Sequence, residues 1–382
     1  MSYPNYSFIY LFIYIFIFLT TLFYLYSNNN IITIINIKIL MMIQTKKNLQ
    51  SKKYYTKKKS NKLKLGCHIS ITPSILDGIK YGESIGGNAF QLFMGSNRSA
   101  SLKTKTKFEP NETNDIKDYI SRNNLTLIIH SIYLLNFCKY PPTSGRIKYQ
   151  HDNIQYDLKY GKMIGVKCVV LHIGFKNNLT EDEAIHNLIL NINHIINHMP
   201  EGITLALETS ACRGSEMGCT LEQLSTIWEG IKHNNRSSVK KVGFVIDTAH
   251  LFSSGYDIST LSGITDYLKQ FNSMIGIHNV CVFHINDSKY KLGAHHDEHM
   301  GIGYGNIFNT DSGLQSLKYI KQLCIKKNIP MILETHSAGK KNSDHESNHD
   351  SEGKQYSRTH KGVNVYEYGY GYEYEIDLIK KL

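Results

Sequence analysis

The sequence has little of what marks a secreted, disulfide-bonded protein. Its 382 residues include only seven cysteines, and no two of them form a CxxC pair. They are scattered, and four lie in or beside apolar runs, which predicts reduced, mostly buried thiols and excludes a disulfide framework. Before Lys46 the only charged residue is Lys38, so the chain also lacks the basic start of a secretory signal.

Acidic residues are missing from one basic segment. Residues 46–64 contain nine lysines and no Asp or Glu. Without these nine and Lys38, the net charge of +11 falls to +1 for residues 65–382, so the remainder is nearly neutral. Such a lysine-rich arm is typical of segments that contact nucleic acid or an acidic membrane surface. A solvated linker is the alternative, and the sequence leaves both open.

The hydrophobic N-terminal segment, residues 1–45, is also open to two interpretations. Phe8–Tyr26 is a run of 19 uncharged residues, long enough to cross a bilayer as a helix. The lysines that follow would then keep the rest of the chain on the cytoplasmic side. The other interpretation is an untranslated extension, because the run is rich in Ile, Phe, Tyr and Asn, and because Met41 or Met42 offers a later start.

From residue 65 onward, short apolar runs alternate with segments of helical periodicity. Such alternation predicts parallel strands buried on both faces, and eight units fit a (β/α)8 TIM barrel, an α/β fold. The polar, repetitive stretch at about 337–372 is predicted to be an insertion, followed by a short helix over Tyr374–Leu382. The predicted strands are Leu65–Ser70, Ala89–Met94, Thr126–His130, Cys168–His172, Ile203–Glu208, Val242–Asp247, Val280–His284 and Met331–Glu334.

Polar side chains stand at the C-terminal ends of nearly all these strands. In a barrel of this type those ends form the active-site face. A single histidine there is more often a hydrogen-bonded structural residue, but a whole ring of imidazoles and carboxylates indicates divalent metal ions, which would offset the repulsion of buried carboxylates. The residues are His68, Arg98, His130, His172, Glu208, Asp247 with His250, His284 and Glu334.

A histidine-rich loop follows the seventh strand. His295, His296, Asp297, Glu298 and His299 are consecutive, and a glycine-rich turn comes next. The Asp297-x-His299 spacing allows two ligands on one ion, and nitrogen and oxygen ligands suit Zn²⁺. On its own such a loop is more often a solvated polar loop than a metal site, and it is the residues at the other strand ends that favour the metal site.

Three longer motifs surround these residues: LALETSACRGSEMG at Leu205–Gly218, GFVIDTAHLFSSGYD at Gly243–Asp257, and FHINDSK followed by HHDEHMGIGYGNI. They resemble the signature regions of the endonuclease IV family of metal-dependent apurinic/apyrimidinic DNA-repair endonucleases. The resemblance spans about Leu65 to His336 and the last nine residues. It implies that residues 65–382 form a TIM-barrel nuclease domain.

The resemblance implies a cluster of three zinc ions, with Mn²⁺ a candidate at one position. Glu208 would bridge two ions, and Glu208 and Glu334 are the expected catalytic residues. The nine implied ligands are His130, His172, Glu208, Asp247, His250, His284, Asp297, His299 and Glu334.

The resemblance also implies DNA-penetrating residues. Arg98 would enter the base stack, and Tyr133 with Leu134 would wedge into it from the minor groove, which kinks a duplex. A rim salt bridge for Arg98 and a packed surface ring for Tyr133 are the structural alternatives. Ala100 departs from the family, which usually has a bulky aromatic residue there, so the DNA contacts of that loop are in doubt.

The implied function is a nuclease that cleaves the phosphodiester 5′ to abasic sites in base excision repair. It would leave a 3′-hydroxyl, trim blocked 3′ ends, and act as an intracellular monomer on double-stranded DNA. A divalent-metal-dependent sugar isomerase or epimerase with the same barrel is the alternative enzyme. A third alternative, a membrane-tethered or DNA-coating binding protein, leaves the nine implied ligands unexplained.

Overall fold

Eight parallel strands close into a barrel in a computed structural model of the chain. Each strand pairs with its sequence neighbours, and β1 closes the ring against β8, with Leu65 opposite Met331. The predicted (β/α)8 fold is therefore confirmed. The strands are β1 (Leu65–His68), β2 (Ala89–Phe93), β3 (Thr126–His130), β4 (Cys168–His172), β5 (Thr204–Glu208), β6 (Val242–Asp247), β7 (Val280–His284) and β8 (Met331–Leu333).

The structure describes residues 16–17, 19–20, 61–235, 237–335 and 371–382. The chain divides into two units, Met1–Ser60 and Asn61–Leu382, and the barrel belongs to the second. Of the first unit only four residues are described, and they are helical. The lysine-rich arm up to residue 60 and the insertion up to residue 370 lie outside the described residues. Among the helices that are described, none has the length and apolar character needed to cross a membrane.

The helices follow the strands, as the periodicity of the sequence predicts. Several begin at a Ser or Thr whose side chain accepts a backbone N–H three residues on, which satisfies one of the free donors of the first turn. The helices are α1 (Ile75–Ser84), α2 (Glu112–Arg122), α3 (Lys148–Ile164), α4 (Glu181–His198), α5 (Leu221–Asn234), α6 (Thr248–Ser253), α7 (Leu261–Met274), α8 (Asp311–Lys327) and α9 (Tyr372–Lys381).

The differences from the predicted elements are confined to their ends. Ser70 and Glu334 lie beyond the ends of β1 and β8, and α9 begins at Tyr372, two residues before the predicted start. Tyr372 is buried, so the helix starts where its first side chain packs on the core. All seven cysteines are unpaired, and five of them are buried, as expected for cysteines in or beside apolar runs.

Candidate metal centre

The candidate metal centre lies at the C-terminal end of the barrel, where three groups of His, Asp and Glu side chains overlap. Within each group, one ligand atom from every residue lies within 4.8 Å of the others. Glu208 and Asp247 each belong to two groups, so the three form one continuous cluster. The groups are His130 and His172 with Glu208; Glu208, Asp247 and His284 with Glu334; and Asp247 and His250 with His299.

Asp297 joins the third group from the loop after β7. Its Oδ1 lies 3.3 Å from Nε2 of His250 and 3.1 Å from Nε2 of His299. All nine residues implied as metal ligands by the sequence motifs are thus brought together. His130 and Glu334 are 204 residues apart in the sequence, yet each has a ligand atom within 4.8 Å of Glu208, because every strand of a barrel ends on the same face.

Hydrogen bonds to backbone carbonyl oxygens fix two of the histidine rings, those of His130 and His250. Nδ1 of His130 lies 2.7 Å from the carbonyl oxygen of Ser131, and Nδ1 of His250 lies 2.7 Å from that of Thr209. A carbonyl oxygen can only accept, so both rings carry their proton on Nδ1. The lone pair on Nε2 then faces the carboxylates, which is the orientation that a hydrogen bond at the far nitrogen gives to metal-binding histidines.

Two side chains in the centre were missed by the sequence analysis. Gln91 is fully buried on β2; its Nε2 donates to Glu334 and its Oε1 lies 2.9 Å from Nε2 of His284. Asn286 donates to Asp247 at 2.6 Å and to Glu334 at 3.2 Å. A signal existed, because Gln91 is the one polar residue in the strand AFQLF. Together the two amides orient three of the implied ligands.

Neighbouring histidines lower the pKa of three carboxylates of the centre, those of Glu208, Asp297 and Glu334, against the opposing effect of burial. Burial alone would raise the pKa of Glu208, but the neighbouring rings of His284 and His172 and the hydrogen bonds from His130 and His172 hold it well below its ordinary value. The pKa of Asp297 is likewise depressed against its burial, chiefly by His250. The negative charge of these carboxylates therefore has to be balanced by positive charge within the centre.

Protons on the histidines can supply part of that positive charge. Burial lowers the pKa of His284, but Glu334 and Glu208 raise it to about 9. The pKa of His299 is also raised to about 9, against its burial, through Asp297 and Asp247. Divalent cations would replace these protons, since imidazole binds metal in its neutral form.

The surroundings of one buried atom support the fit of this donor set to metal ions. Nε2 of His299 is buried and lies 3.1 Å from Asp297 Oδ1 and 3.9 Å from Asp247 Oδ2, but none of its contacts among the described residues has the geometry of a hydrogen bond. A metal ion at this position would bind the nitrogen and the carboxylate oxygens together. The mixture of imidazole nitrogens and carboxylate oxygens matches the preferences of Zn²⁺.

Comparison with known proteins identifies the family. Residues 79–352 match the family described as the xylose isomerase-like TIM barrel. A putative endonuclease 4 of Acanthamoeba polyphaga mimivirus is 31% identical over 277 residues, which are 71% of this chain and 85% of that protein. The chain belongs to the endonuclease IV family. The resemblance seen in the sequence motifs is therefore confirmed.

Solved structures agree with this assignment at the level of the fold. Endonuclease IV from Thermus thermophilus has a TM-score of 0.58 and 22% identity, covering 72% of this chain and 92% of its own. A D-tagatose 3-epimerase-like protein also shares the fold, with a TM-score of 0.52 and 19% identity, covering 72% and 91%. Endonuclease IV and sugar epimerases thus use one barrel, and only the site residues can separate them.

The side chains that the endonuclease IV resemblance assigns to DNA lie at the rim of the barrel. Tyr133 and Leu134 are about half exposed, although the Tyr133 ring packs edge-on against Phe93 and His172 at 5.3 Å between centroids. Arg98 is exposed in the loop after β2. A cleft of about 490 Å³ lies beside them and is lined by Tyr133 and Glu334. His68 also lines it, and burial lowers the pKa of His68 to about 4, so this ring is neutral.

Three residues of the histidine-rich loop stay outside the three groups. Nδ1 of His296 lies 2.9 Å from the carbonyl oxygen of Ala294, and Glu298 pairs with Lys289 at 2.6 Å on the surface. His295 has a positive φ of 55° and is exposed. Only Asp297 and His299 turn inward, which is the Asp-x-His pair that the sequence predicted to act together.

The C-terminal helix is tied to the centre through a buried carboxylate. Glu375 on α9 is buried, and it accepts hydrogen bonds from the hydroxyl of Thr335 and, at 2.7 Å, from the backbone N–H of Ile302. Thr335 follows Glu334, and Ile302 begins the turn after His299. The helix that ends the chain therefore supports two parts of the endonuclease IV centre that lie more than 30 residues apart.

Proposed function

We propose that this chain is a metal-dependent DNA-cleaving hydrolase of base excision repair. It cuts the phosphodiester 5′ to an abasic site, leaves a 3′-hydroxyl, and trims blocked 3′ ends. Membership of the endonuclease IV family supports DNA as the substrate. The geometry adds a cluster of nine candidate ligands beside an open cleft and two half-exposed wedge residues.

The observation that carries the proposal is the third group of ligands. Asp247, His250 and His299 converge as a set, with Asp297 within 3.3 Å of both histidines. One or two metal ions, as a sugar isomerase or epimerase of this architecture would use, need no such set. A third ion is expected where a phosphodiester with charged oxygens has to be held.

The charges of the centre fit a phosphate ligand. Four carboxylates contribute −4, and three divalent ions would contribute +6, so the loaded centre would be about +2 even though the domain around it is nearly neutral. Zinc is the proposed metal, with Mn²⁺ at one position as the alternative. When bound, the ions supply a Lewis acid and make a water molecule nucleophilic near neutral pH.

The protein residues hold and orient the reacting groups. Glu208 contacts both His130 and His172 through Oε2 and His284 through Oε1, so its two oxygens serve two neighbouring groups. Glu334 is fixed by Gln91 and Asn286 and also lines the cleft. Glu334 is therefore placed to accept a proton from a water that enters the cleft.

Selectivity for damage is proposed to come from the shape of the DNA. An abasic nucleotide has lost its stacking partner, so it costs less to kink and flip than an intact one. Tyr133 and Leu134 provide an aromatic and an aliphatic wedge, and Arg98 provides a cation on the neighbouring loop. The enzyme is proposed to act as an intracellular monomer, and membrane attachment through Phe8–Tyr26 is a separate proposal.

The test is incision of a duplex that carries a single abasic analogue. Full-length protein is incubated with this duplex and with a matched intact duplex, each with and without a chelator. We expect cleavage on the 5′ side of the abasic position only, abolished by chelator and restored by Zn²⁺.

Two other results would contradict the proposed function. Cleavage of both duplexes at equal rates would contradict the abasic specificity. If metal is bound but neither duplex is cut, the function proposal fails, and ketose–aldose pairs should then be assayed for the sugar isomerase reaction.

A further inference from the structure

The outer helix α3 carries a buried polar stripe. Gln150, Asn153 and Asp157 occupy positions i, i+3 and i+7, which share one face of a helix, and their exposed fractions are 3%, 1% and 0%. Apolar side chains would cover this face at lower cost, because buried polar groups cost free energy unless they are paired. The stripe therefore calls for an explanation beyond burial.

Two residues of the stripe hold the loop that follows β2. Nδ2 of Asn153 donates to the carbonyl oxygen of Ala100 at 2.7 Å, two residues after Arg98. Asp157 accepts from Nζ of Lys105, also at 2.7 Å, and both side chains of this ion pair are buried. A backbone hydrogen bond from Thr106 to Met94 closes the base of the loop. The loop that carries Arg98 is thus pinned to α3 at two points.

The third residue of the stripe holds the loop that follows β3. Oε1 of Gln150 accepts the backbone N–H of Asn136, two residues after Leu134. The Asn136 side chain in turn bonds the backbone of Phe175 and accepts from the N–H of Cys138. One face of one helix therefore contacts both loops that carry the proposed DNA-penetrating residues.

We propose that Gln150, Asn153 and Asp157 are positioning residues that set the spacing between Arg98 and the Tyr133–Leu134 wedge on damaged DNA. This inference rests on the proposed function. Both loops would contact the same damaged site, so the distance between them has to match the duplex, and a displacement of about 1 Å can cost about a hundredfold in kcat/KM. Because both loops are bonded to the same helix, the helix fixes the distance between them. In this way the stripe contributes to discrimination between abasic and intact DNA.

The test uses two single variants of the full-length protein. Asn153→Leu removes the donor to Ala100 and keeps the branching and number of heavy atoms of the side chain, and Gln150→Leu removes the acceptor for Asn136. We expect faster amide hydrogen exchange over residues 95–106 in the first variant and over 133–138 in the second. For both, KM on abasic duplex should rise about tenfold or more while kcat at saturation changes by less than about twofold.

Gln155→Leu is the matched control. Gln155 lies on the same helix, but its side chain bonds the carbonyl oxygen of Ile195 on α4 and neither loop. This variant should keep the exchange rates and the KM of the wild type. Metal content should be equal in all four proteins, because no residue of the stripe contacts the metal centre.

The exchange rates and the KM values together test the positioning role of the stripe. Wild-type exchange in both loops, in both variants, would overturn the positioning role. Faster exchange with an unchanged KM would show that the stripe only stabilises the loops. If Asn153→Leu does not fold, Gln150→Leu tests the inference on its own loop. If the wild type does not cut abasic DNA, the function proposal fails, while hydrogen exchange still reports whether the stripe orders the loops.

Discussion

Two layers of side chains inside the barrel have opposite chemistry, although the residues that form them are only two positions apart along a strand. The lower layer is a separate apolar cluster of fully buried, mostly small or branched side chains. The upper layer is the polar centre. In seven of the eight strands a residue of the lower layer is followed two positions later by a residue of the centre. These pairs are Ala89–Gln91, Ile128–His130, Val170–His172, Ala206–Glu208, Val245–Asp247, Val282–His284 and Ile332–Glu334.

The two layers keep a stable core and a reactive site apart within one barrel. Alternate residues of a strand point to the same face, so each of these seven strands directs an apolar side chain and, two residues later, a polar one into the barrel. The apolar layer seals the interior beneath the carboxylates and excludes water from that side. Stability and chemistry can then be changed separately by substitutions only two residues apart.

The largest effect is expected from a change in the upper layer. Glu208→Gln removes the charge that Glu208 shares between two ligand groups, while the volume stays the same. We expect kcat on abasic duplex to fall about 10²- to 10³-fold, with DNA affinity retained. Single-turnover cleavage and a binding titration on one preparation would check this. Normal turnover would contradict the bridging role of Glu208.

A matched change in the lower layer should cost stability and leave the chemistry intact. Ile128 is fully buried two residues before His130. Ile128→Ala should lower the free energy of unfolding by about 2–5 kcal/mol through lost burial and a cavity. Urea unfolding measures the loss, and kcat per folded molecule should equal that of the wild type. A fall in kcat comparable to that of Glu208→Gln would break the separation of the two layers.

A smaller effect is expected at the amide that orients the ligands. Gln91→Leu replaces the one polar residue of β2 by an apolar one and removes the hydrogen bonds to Glu334 and His284. Loss of such a partner costs about 10- to 100-fold in metal affinity. Competition with a zinc-binding dye measures it. Zinc affinity equal to that of the wild type would assign Gln91 to packing alone.

The smallest effect is expected on the pH dependence of stability, through a buried carboxylate that lies outside both layers. Burial raises the pKa of Asp157 to about 6, even though Lys105 lies nearby and lowers it. The folded state then holds a proton that the unfolded state releases, so stability should fall as pH rises from about 4 to 6, by about 1 kcal/mol per pH unit. Comparing the pH slopes of urea unfolding for Asp157→Asn and the wild type isolates this contribution, which Ile128→Ala should not change.

The barrel and its ligand set were accessible from the sequence because both depend on short-range patterns. Apolar runs ending in His, Asp or Glu recur once per unit, and the fold places all strand ends together, so distant motifs such as those at His130 and Glu334 could be assigned to one face. The resemblance to endonuclease IV then supplied the grouping of the nine residues. Their convergence in the structure agrees with it.

The orienting residues were not accessible in the same way. Gln91 and Asn286 act through partners more than 35 residues away. The isolated polar position of Gln91 in an apolar strand could have drawn attention to it, but the sequence does not say which ligands it contacts. The polar stripe of α3 was missed for the same reason. Its spacing of three and four residues is that of an ordinary helix face, and only the loops that pack on it distinguish it.

The hydrogen bond between Thr335 and Glu375 has a consequence for engineering. It joins Thr335 to Glu375 on α9, so the described residues on either side of positions 336–370 are held together. Closing a loop between fixed neighbouring ends costs only about 0.6 kcal/mol more for each doubling of its length. We therefore expect a fluorescent reporter or a DNA-targeting module inserted between residues 336 and 370 to add little to the free-energy cost of folding the domain.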